Sequence, residues 1–317
     1  MKTILGTMTF GNQVDEELAD ALLSTYKASG GTELDAAYIY NGGACETLLG
    51  ACLKRPENQG FQVATKANPA IFGCLDSHAV TAQLNESLER LDMDCVDLFY
   101  LHAPDPATPL EETLEACARL HDQGKFRELG LSNYNTETVS QAIDLCDKLG
   151  CPRPTVFEGI FNALSRTAED ELLDALEGWG IRYYAYNPLA GGLLTGRYNN
   201  AAANTAEGRF AAIPTYKDFY WKESNFQALD ILGKACAEAG IAMAEASYRW
   251  LANHSKLSKN PENGLIIGTS KLAQLEQNLA SLQGGPLPQA VVDAFDQAWE
   301  LARPNAISHY RPFKPQA

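Results

Sequence analysis

Short apolar runs alternate along this chain with amphipathic stretches of helical length, and few folds accommodate that order. The runs fall at residues 4–7, 32–35, 61–66, 96–102, 126–132, 155–160, 181–187 and 264–269. Between them, residues 16–29, 45–54, 79–91, 110–123, 136–149, 169–179 and 226–254 (the last in two pieces) carry apolar side chains at helical spacing. Repeated strand–helix units of this kind build parallel sheets. Eight of them predict a closed (β/α)8 barrel, and 317 residues suit a single domain spanning 1–317. An open doubly wound sheet is the competing arrangement. It should carry G-x-G-x-x-G in its first strand–helix turn, with an acid about 20 residues further on. Gly6 with Gly11, and the pair Gly42-Gly43, do not have that spacing.

Two segments break the alternation. Residues 187–220 follow the seventh strand and combine Pro188, Gly191, Gly192, Gly196, an Ala/Asn-rich stretch and several aromatics. The segment is too long for a mere connector. The tail from Arg303 carries Pro304, Pro312 and Pro315, so it cannot continue as a regular helix. It is expected either to fray or to lie over the active face of the barrel.

The net charge of −15 argues against nucleic acid or an anionic membrane as the main partner, because phosphate surfaces attract excess Lys and Arg. A small basic pocket for one phosphorylated cofactor is compatible with it. The eight cysteines show neither Cys-x-x-Cys pairs nor zinc-type spacing with histidine, and read as reduced, mostly buried thiols. No apolar run approaches the ~20 residues of a membrane span, and the N-terminal residues do not read as a leader. The expected compartment is the cytoplasm.

Four ionisable residues stand where apolar runs stop. Asp35 and Tyr40 lie in Thr32-Glu-Leu-Asp-Ala-Ala-Tyr-Ile-Tyr40, Lys66 ends Gln62-Val-Ala-Thr-Lys66, and His102 ends Val96-Asp-Leu-Phe-Tyr-Leu-His102. The C-terminal ends of barrel strands are where such folds hold their chemistry. Each residue has a plainer reading by itself: a helix cap, a packed phenol, a solvated amine, a satisfied core histidine. Together they suit the reduction of a carbonyl. Tyr40 supplies a proton, Lys66 lowers the pKa of that phenol, Asp35 keeps Lys66 charged and oriented, and His102 aims the carbonyl oxygen at Tyr40. No metal is required.

The chain resembles the aldo-keto reductases, and within them the aflatoxin-aldehyde and succinic-semialdehyde reductase branch. The resemblance is carried by Leu5-Gly-Thr-Met8, Thr32-Glu-Leu-Asp35, Ala64-Thr-Lys-Ala-Asn-Pro69, Val96 through Asp105, Glu128-Leu-Gly-Leu-Ser-Asn-Tyr134, Tyr184 through Gly196 and Gln274-Leu-Glu-Gln-Asn-Leu279. It implies a TIM barrel, an NADPH-dependent reductase of aldehydes, dialdehydes, semialdehydes or reactive ketones, and a Tyr40, Lys66, Asp35 and His102 tetrad. A homodimer is the assembly expected with it.

The resemblance also implies a cofactor site. Ser132 and Asn133 would bind the nicotinamide carboxamide, with Glu158 where the branch usually has Gln. A carboxylate accepts from an amide but donates only when protonated. Tyr186 would stack on the nicotinamide ring. The segment from Asn187 through Pro188, Leu189, Gly191, Gly192, Leu194 and Gly196 to Arg197 would wrap the pyrophosphate with Arg209, its glycines permitting close backbone approach. The adenosine end would lie at Gly268, Ser270, Lys271, Gln274, Gln277 and Asn278. There Ser270 reads as a helix N-cap and Lys271 as a first-turn cation. A cation is disfavoured at a helix start unless it meets an anion such as the 2′-phosphate that separates NADP from NAD.

For the substrate, relatives hold the far end with a Tyr and an Arg three residues later. Here Tyr216 is followed by Phe219 at that place, and Arg311 in the tail stands as the replacement cation. Two other readings compete. An NADP-binding regulatory subunit of the same fold without significant turnover would keep the barrel and the nucleotide. A metal-dependent barrel hydrolase would want a His-x-His pair, which the five scattered histidines do not form.

Overall fold

The computed structural model describes the chain except residues 199, 201, 204, 206, 207, 214 and 315–317. Eight parallel strands close into a barrel in sequential order: β1 Lys2–Gly6, β2 Glu33–Asp35, β3 Gln62–Ala67, β4 Val96–Leu101, β5 Phe126–Ser132, β6 Pro154–Ile160, β7 Arg182–Tyr186 and β8 Gly264–Gly268. Closure comes from β1 pairing with both β2 and β8. The (β/α)8 expectation is borne out. No helix among the described residues is long and apolar enough to cross a membrane.

The helices bury an apolar stripe, and three of the longer ones also start at a side-chain cap that the sequence supplies. In Glu16–Ala28 the Asp15 carboxylate accepts from the Leu18 N–H at 3.0 Å, and Ala19, Leu22, Leu23 and Tyr26 turn inward. Asp76 and Asn135 cap Ser77–Leu91 and Thr136–Leu149 in the same way. The stretch expected at 169–179 is interrupted. Glu171 has a non-helical backbone (φ −151°), so a 3-10 turn Thr167–Glu169 is followed by a short helix Leu172–Gly178.

Inside the barrel, Ile4, Ala64, Leu98, Tyr100, Val156, Tyr184 and Ile266 form one apolar layer. Glycine on β5 makes room for it: a Cβ at Gly130 would lie 2.3 Å from the Tyr100 ring. That layer fills the barrel beneath the ionisable residues and keeps the strands' C-terminal ends as the working face.

Residues 187–220 are not a plain loop. They contain a 3-10 segment Ala190–Thr195 and short helices Arg209–Ala212 and Thr215–Tyr220. Edge-to-face contacts of Phe210 with Tyr198 (5.3 Å) and Trp221 (5.0 Å) anchor the segment. Part of its Ala/Asn-rich stretch lies outside the described residues, as does Pro315. The tail takes the second of its two expected courses. The Arg311 N–H donates to Asn133 O at 3.0 Å and the Phe313 N–H to Pro104 O at 2.8 Å, which lays it across the C-terminal face. Six of the eight free cysteines are buried, with Cys74 and Cys95 half-buried.

Candidate active site

Asp35 is the last residue of β2, Lys66 the penultimate residue of β3, and His102 the first residue beyond β4. Tyr40 opens the 3-10 turn Tyr40–Gly43. In that turn Asn41 (φ 52°) donates through its side chain to the carbonyls of Met8 and Phe10, each at 2.8 Å. Those bonds fasten the Tyr40 turn to the loop after β1.

The structure brings the four residues together around Lys66. Its ammonium is fully buried, donates to the Asp35 carboxylate and to Ala36 O (2.9 Å), and lies 5.3 Å from the centre of the Tyr40 ring. The Tyr40 and His102 rings meet edge to face with centres 6.0 Å apart. A second carboxylate completes the cluster: Glu158 Oε2 is buried, makes no hydrogen bond, and stands 3.4 Å from Lys66 Nζ.

Burial and charge set the protonation states. Burial acts against the Lys66 ammonium, but Asp35, Glu158 and Tyr40 outweigh it and hold the group above the ordinary lysine value. Glu158 is pushed up to about 8, by burial first and by the Asp35 charge second, against the pull of Lys66. The shift favours the protonated carboxyl, which can donate as an amide would. His102 is pushed well below its usual value by burial, then by Lys66 and Arg311, and stays neutral. At Tyr40 the expected pull of Lys66 toward the phenolate is present but outweighed. Burial pushes the phenol well above the ordinary value, with Asp35 and Glu158 adding to the rise, although Lys66 does pull the other way. Tyr40 is therefore a protonated phenol. The ammonium's remaining contribution is to stabilise the phenolate that forms once the proton leaves.

Asn68, missed in the sequence, touches this group. Its Nδ2 lies 3.1 Å from His102 Nδ1. The pairing Ala67↔Leu101 between β3 and β4 places residues 68 and 102 side by side just past their strands, a register that the sequence does not display.

A second cluster lies along β5, β6 and β7. Asn133 Nδ2 donates to His102 O (2.8 Å) and to Ser132 Oγ (2.9 Å), while its Oδ1 accepts from Tyr186 OH (2.8 Å) and the Arg311 guanidinium (Nη2 2.9 Å, Nε 3.1 Å). Arg311 also donates to Tyr186 OH and sits 5.2 Å from the centre of the Phe219 ring. Phe219 in turn meets Tyr216 at 5.8 Å, and Tyr216 OH donates to Asn187 Oδ1 at 3.1 Å. The three residues expected around a substrate thus share one wall.

The segment after β7 runs through Ala190 (φ 50°), Gly191 (φ 68°) and Gly192 (φ 102°), all left-handed. A Cβ on Gly191 would lie 2.7 Å from the Tyr216 ring, whereas one on Gly192 would meet nothing within 4 Å. Pro188 and Leu194 are buried, Leu189 half-buried, and Gly196 and Arg197 exposed. Arg209 lies against Met8 Sδ (3.1 Å) and over the Tyr216 ring.

After β8 the helix start is shifted from its expected place. Leu272–Leu282 has Lys271, not Ser270, at its N-cap, with extended backbone and no side-chain cap. The reason is Thr269, whose hydroxyl lies 3.2 Å from the Lys271 N–H and 2.8 Å from the Lys271 carbonyl. It holds residues 269–271 in a turn that ends one residue later. Lys271, Gln274 and Gln277 are exposed there and Asn278 is buried.

A family model described as Aldo/keto reductase family matches residues 2–300. Aflatoxin B1 aldehyde reductase member 2 of Homo sapiens is 44% identical over 321 residues, covering 98% of this chain and 89% of that protein. Human aflatoxin B1 aldehyde reductase member 4 is 44% identical, with 94% of each chain covered. Human aldo-keto reductase family 7 member A3 is 42% identical, covering 98% and 97%.

Proposed function

Since this chain belongs to the aldo/keto reductase family and is thereby an oxidoreductase, we propose that it reduces aldehydes to alcohols with NADPH, with Tyr40 as proton donor. Small dialdehydes, semialdehydes and reactive ketones fall within the same reading. The observation that carries it is the buried Lys66, held between Asp35 and the Tyr40 ring with His102 at the edge of that ring. A neutral phenol backed by a fixed ammonium is suited to giving up its proton when negative charge builds on a nearby oxygen.

The residues present fit a dinucleotide. Gly192 and Gly268 leave open space where a side chain would project, so backbone can approach a phosphate closely. Lys271 and Arg197 are exposed cations within the same proposed stretches, suited to the 2′-phosphate and the pyrophosphate. Ser132 and Glu158 offer polar groups for a carboxamide, Asn133 would reach it by exchanging one of its present bonds to His102 O, Ser132, Tyr186 or Arg311, and Tyr186 offers a ring. When bound, the reduced nicotinamide supplies the hydride. The chain's own contribution is to hold the carbonyl oxygen between Tyr40 and His102, to keep Tyr40 protonated, and to stabilise the phenolate through Lys66. Cytoplasmic location and a homodimer belong to the same proposal.

The test is NADPH oxidation by the purified protein against succinic semialdehyde, aromatic aldehydes, dicarbonyls and ketones. Turnover of at least one class with retention of NADPH over NADH supports the reading. Tight NADPH binding with no turnover of any class would favour a regulatory subunit instead.

A further inference from the structure

We propose that Asn68 is a positioning residue that locks His102 as the neutral tautomer with its proton on Nε2. Asn68 caps the turn Pro69–Phe72, and its Oδ1 accepts the Ala70 N–H at 2.9 Å. Its own backbone N–H is tied to Gln83 Oε1 at 2.8 Å, so the residue is held at two points. With the amide oxygen used, only the NH2 group faces His102, at 3.1 Å from Nδ1. An amide nitrogen only donates, so Nδ1 must present its lone pair, and in a neutral imidazole the proton then sits on Nε2. The reverse amide orientation would set NH2 against the Ala70 N–H, two donors facing each other.

The surroundings exclude the doubly protonated ring as well. The charged or titratable groups acting on His102 are Lys66, Arg311 and the Tyr40 phenol, and no carboxylate hydrogen-bonds the ring among the described residues. Burial and the two cations keep the ring neutral. His102 therefore holds a fixed donor on Nε2 and does not compete with Tyr40 as the acid. That consequence for turnover rests on the carbonyl-reduction reading above; the tautomer itself does not.

The test is a two-bond 1H–15N spectrum of the cofactor-free protein labelled on histidine, with the His102 signals identified by their loss in His102→Gln. The wild-type protein should show a bare Nδ1 and a protonated Nε2, unchanged between about pH 6 and 8, where an unperturbed histidine titrates. Asn68→Asp keeps the bond to Ala70 but turns an acceptor toward Nδ1. It should move the ring's single proton to Nδ1 and lower kcat/KM by about 10- to 100-fold through the wrong tautomer, while NADPH binding holds. A wild-type proton on Nδ1, or unchanged nitrogen shifts in the Asn68→Asp variant, overturns the proposal. If Asn68→Asp fails to fold, Asn68→Ala removes the donor instead: a His102 ring that then mixes its tautomers or titrates between about pH 6 and 8 upholds the lock, and nitrogen shifts identical to the wild type overturn it. A switched spectrum with undiminished turnover would uphold the tautomer lock and overturn His102 as the carbonyl's hydrogen-bond donor.

Discussion

Tyr40 shows how a residue's chemistry depends on what encloses it. Its neighbour Lys66 favours the phenolate, yet burial dominates and leaves the phenol protonated. Tyr40→Phe removes the proton donor and almost no volume, so carbonyl reduction should fall by about 10²-fold or more while NADPH affinity is unchanged. Steady-state kinetics beside a cofactor titration checks this, and a near-normal kcat would dismiss Tyr40 as the acid. Asp35, Lys66 and His102 were legible in the sequence because each ends an apolar run, and a polar group at that place is conspicuous without coordinates. Asn68 was not. Asn68-Pro69 reads as an ordinary turn, and its partnership with His102 exists only through the register of β3 against β4. The direction of the Tyr40 shift was equally hidden, since burial sums contributions from the whole barrel mouth.

At the scale of elements, strand and helix order followed from periodicity, while boundaries depended on local hydrogen bonds the pattern does not encode. The helix after β8 is the instructive case. Thr269 moves its start so that Lys271, an exposed cation, takes the N-cap with an extended backbone. An anion there relieves an otherwise unfavourable charge. Lys271→Ala should weaken NADPH binding by roughly 1–2 kcal/mol, the order of a charge-assisted hydrogen bond, and leave NADH nearly unaffected. Equal losses for both cofactors would indicate a damaged helix start. The short helix Thr215–Tyr220 carries the second element-scale prediction. Phe219 lies under Arg311, whose guanidinium is already engaged by Asn133 and Tyr186. The unmodified protein should therefore prefer uncharged or aromatic aldehydes to succinic semialdehyde in kcat/KM. Phe219→Arg sets two guanidinium groups in one wall, a repulsion that a substrate carboxylate relieves with bidentate bonds. The ratio of kcat/KM for succinic semialdehyde over an uncharged aldehyde of similar length should rise in the variant. A strong carboxylate preference in the unmodified protein would mean that Arg311 already serves as the anion partner.

Over the whole molecule, the barrel gathers one ammonium and two carboxylates at its centre, away from water. Lys66 can neutralise one carboxylate; Asp35 bonds it directly, and burial with the Asp35 charge favours the protonated form of Glu158. This arrangement links stability to pH with a definite sign. The Glu158 pKa rises from an ordinary 4.5 to about 8 on folding, so between those values the folded chain holds a proton that the unfolded chain has released. Stability then falls as pH rises through that window. Below about pH 4.5 both states are protonated and Glu158 carries no penalty; above about pH 8 the penalty is complete. Glu158→Gln has nearly the same shape and nothing to titrate. It should be more stable than the parent by on the order of 2–4 kcal/mol above pH 8, with the difference shrinking toward zero near pH 4.5. Chemical denaturation of the cofactor-free proteins at about pH 5, 7 and 8.5 measures that difference directly. A gap of constant size at all three values would mean that Glu158 does not change protonation on folding, and that its charge is balanced in the native state by something other than a retained proton.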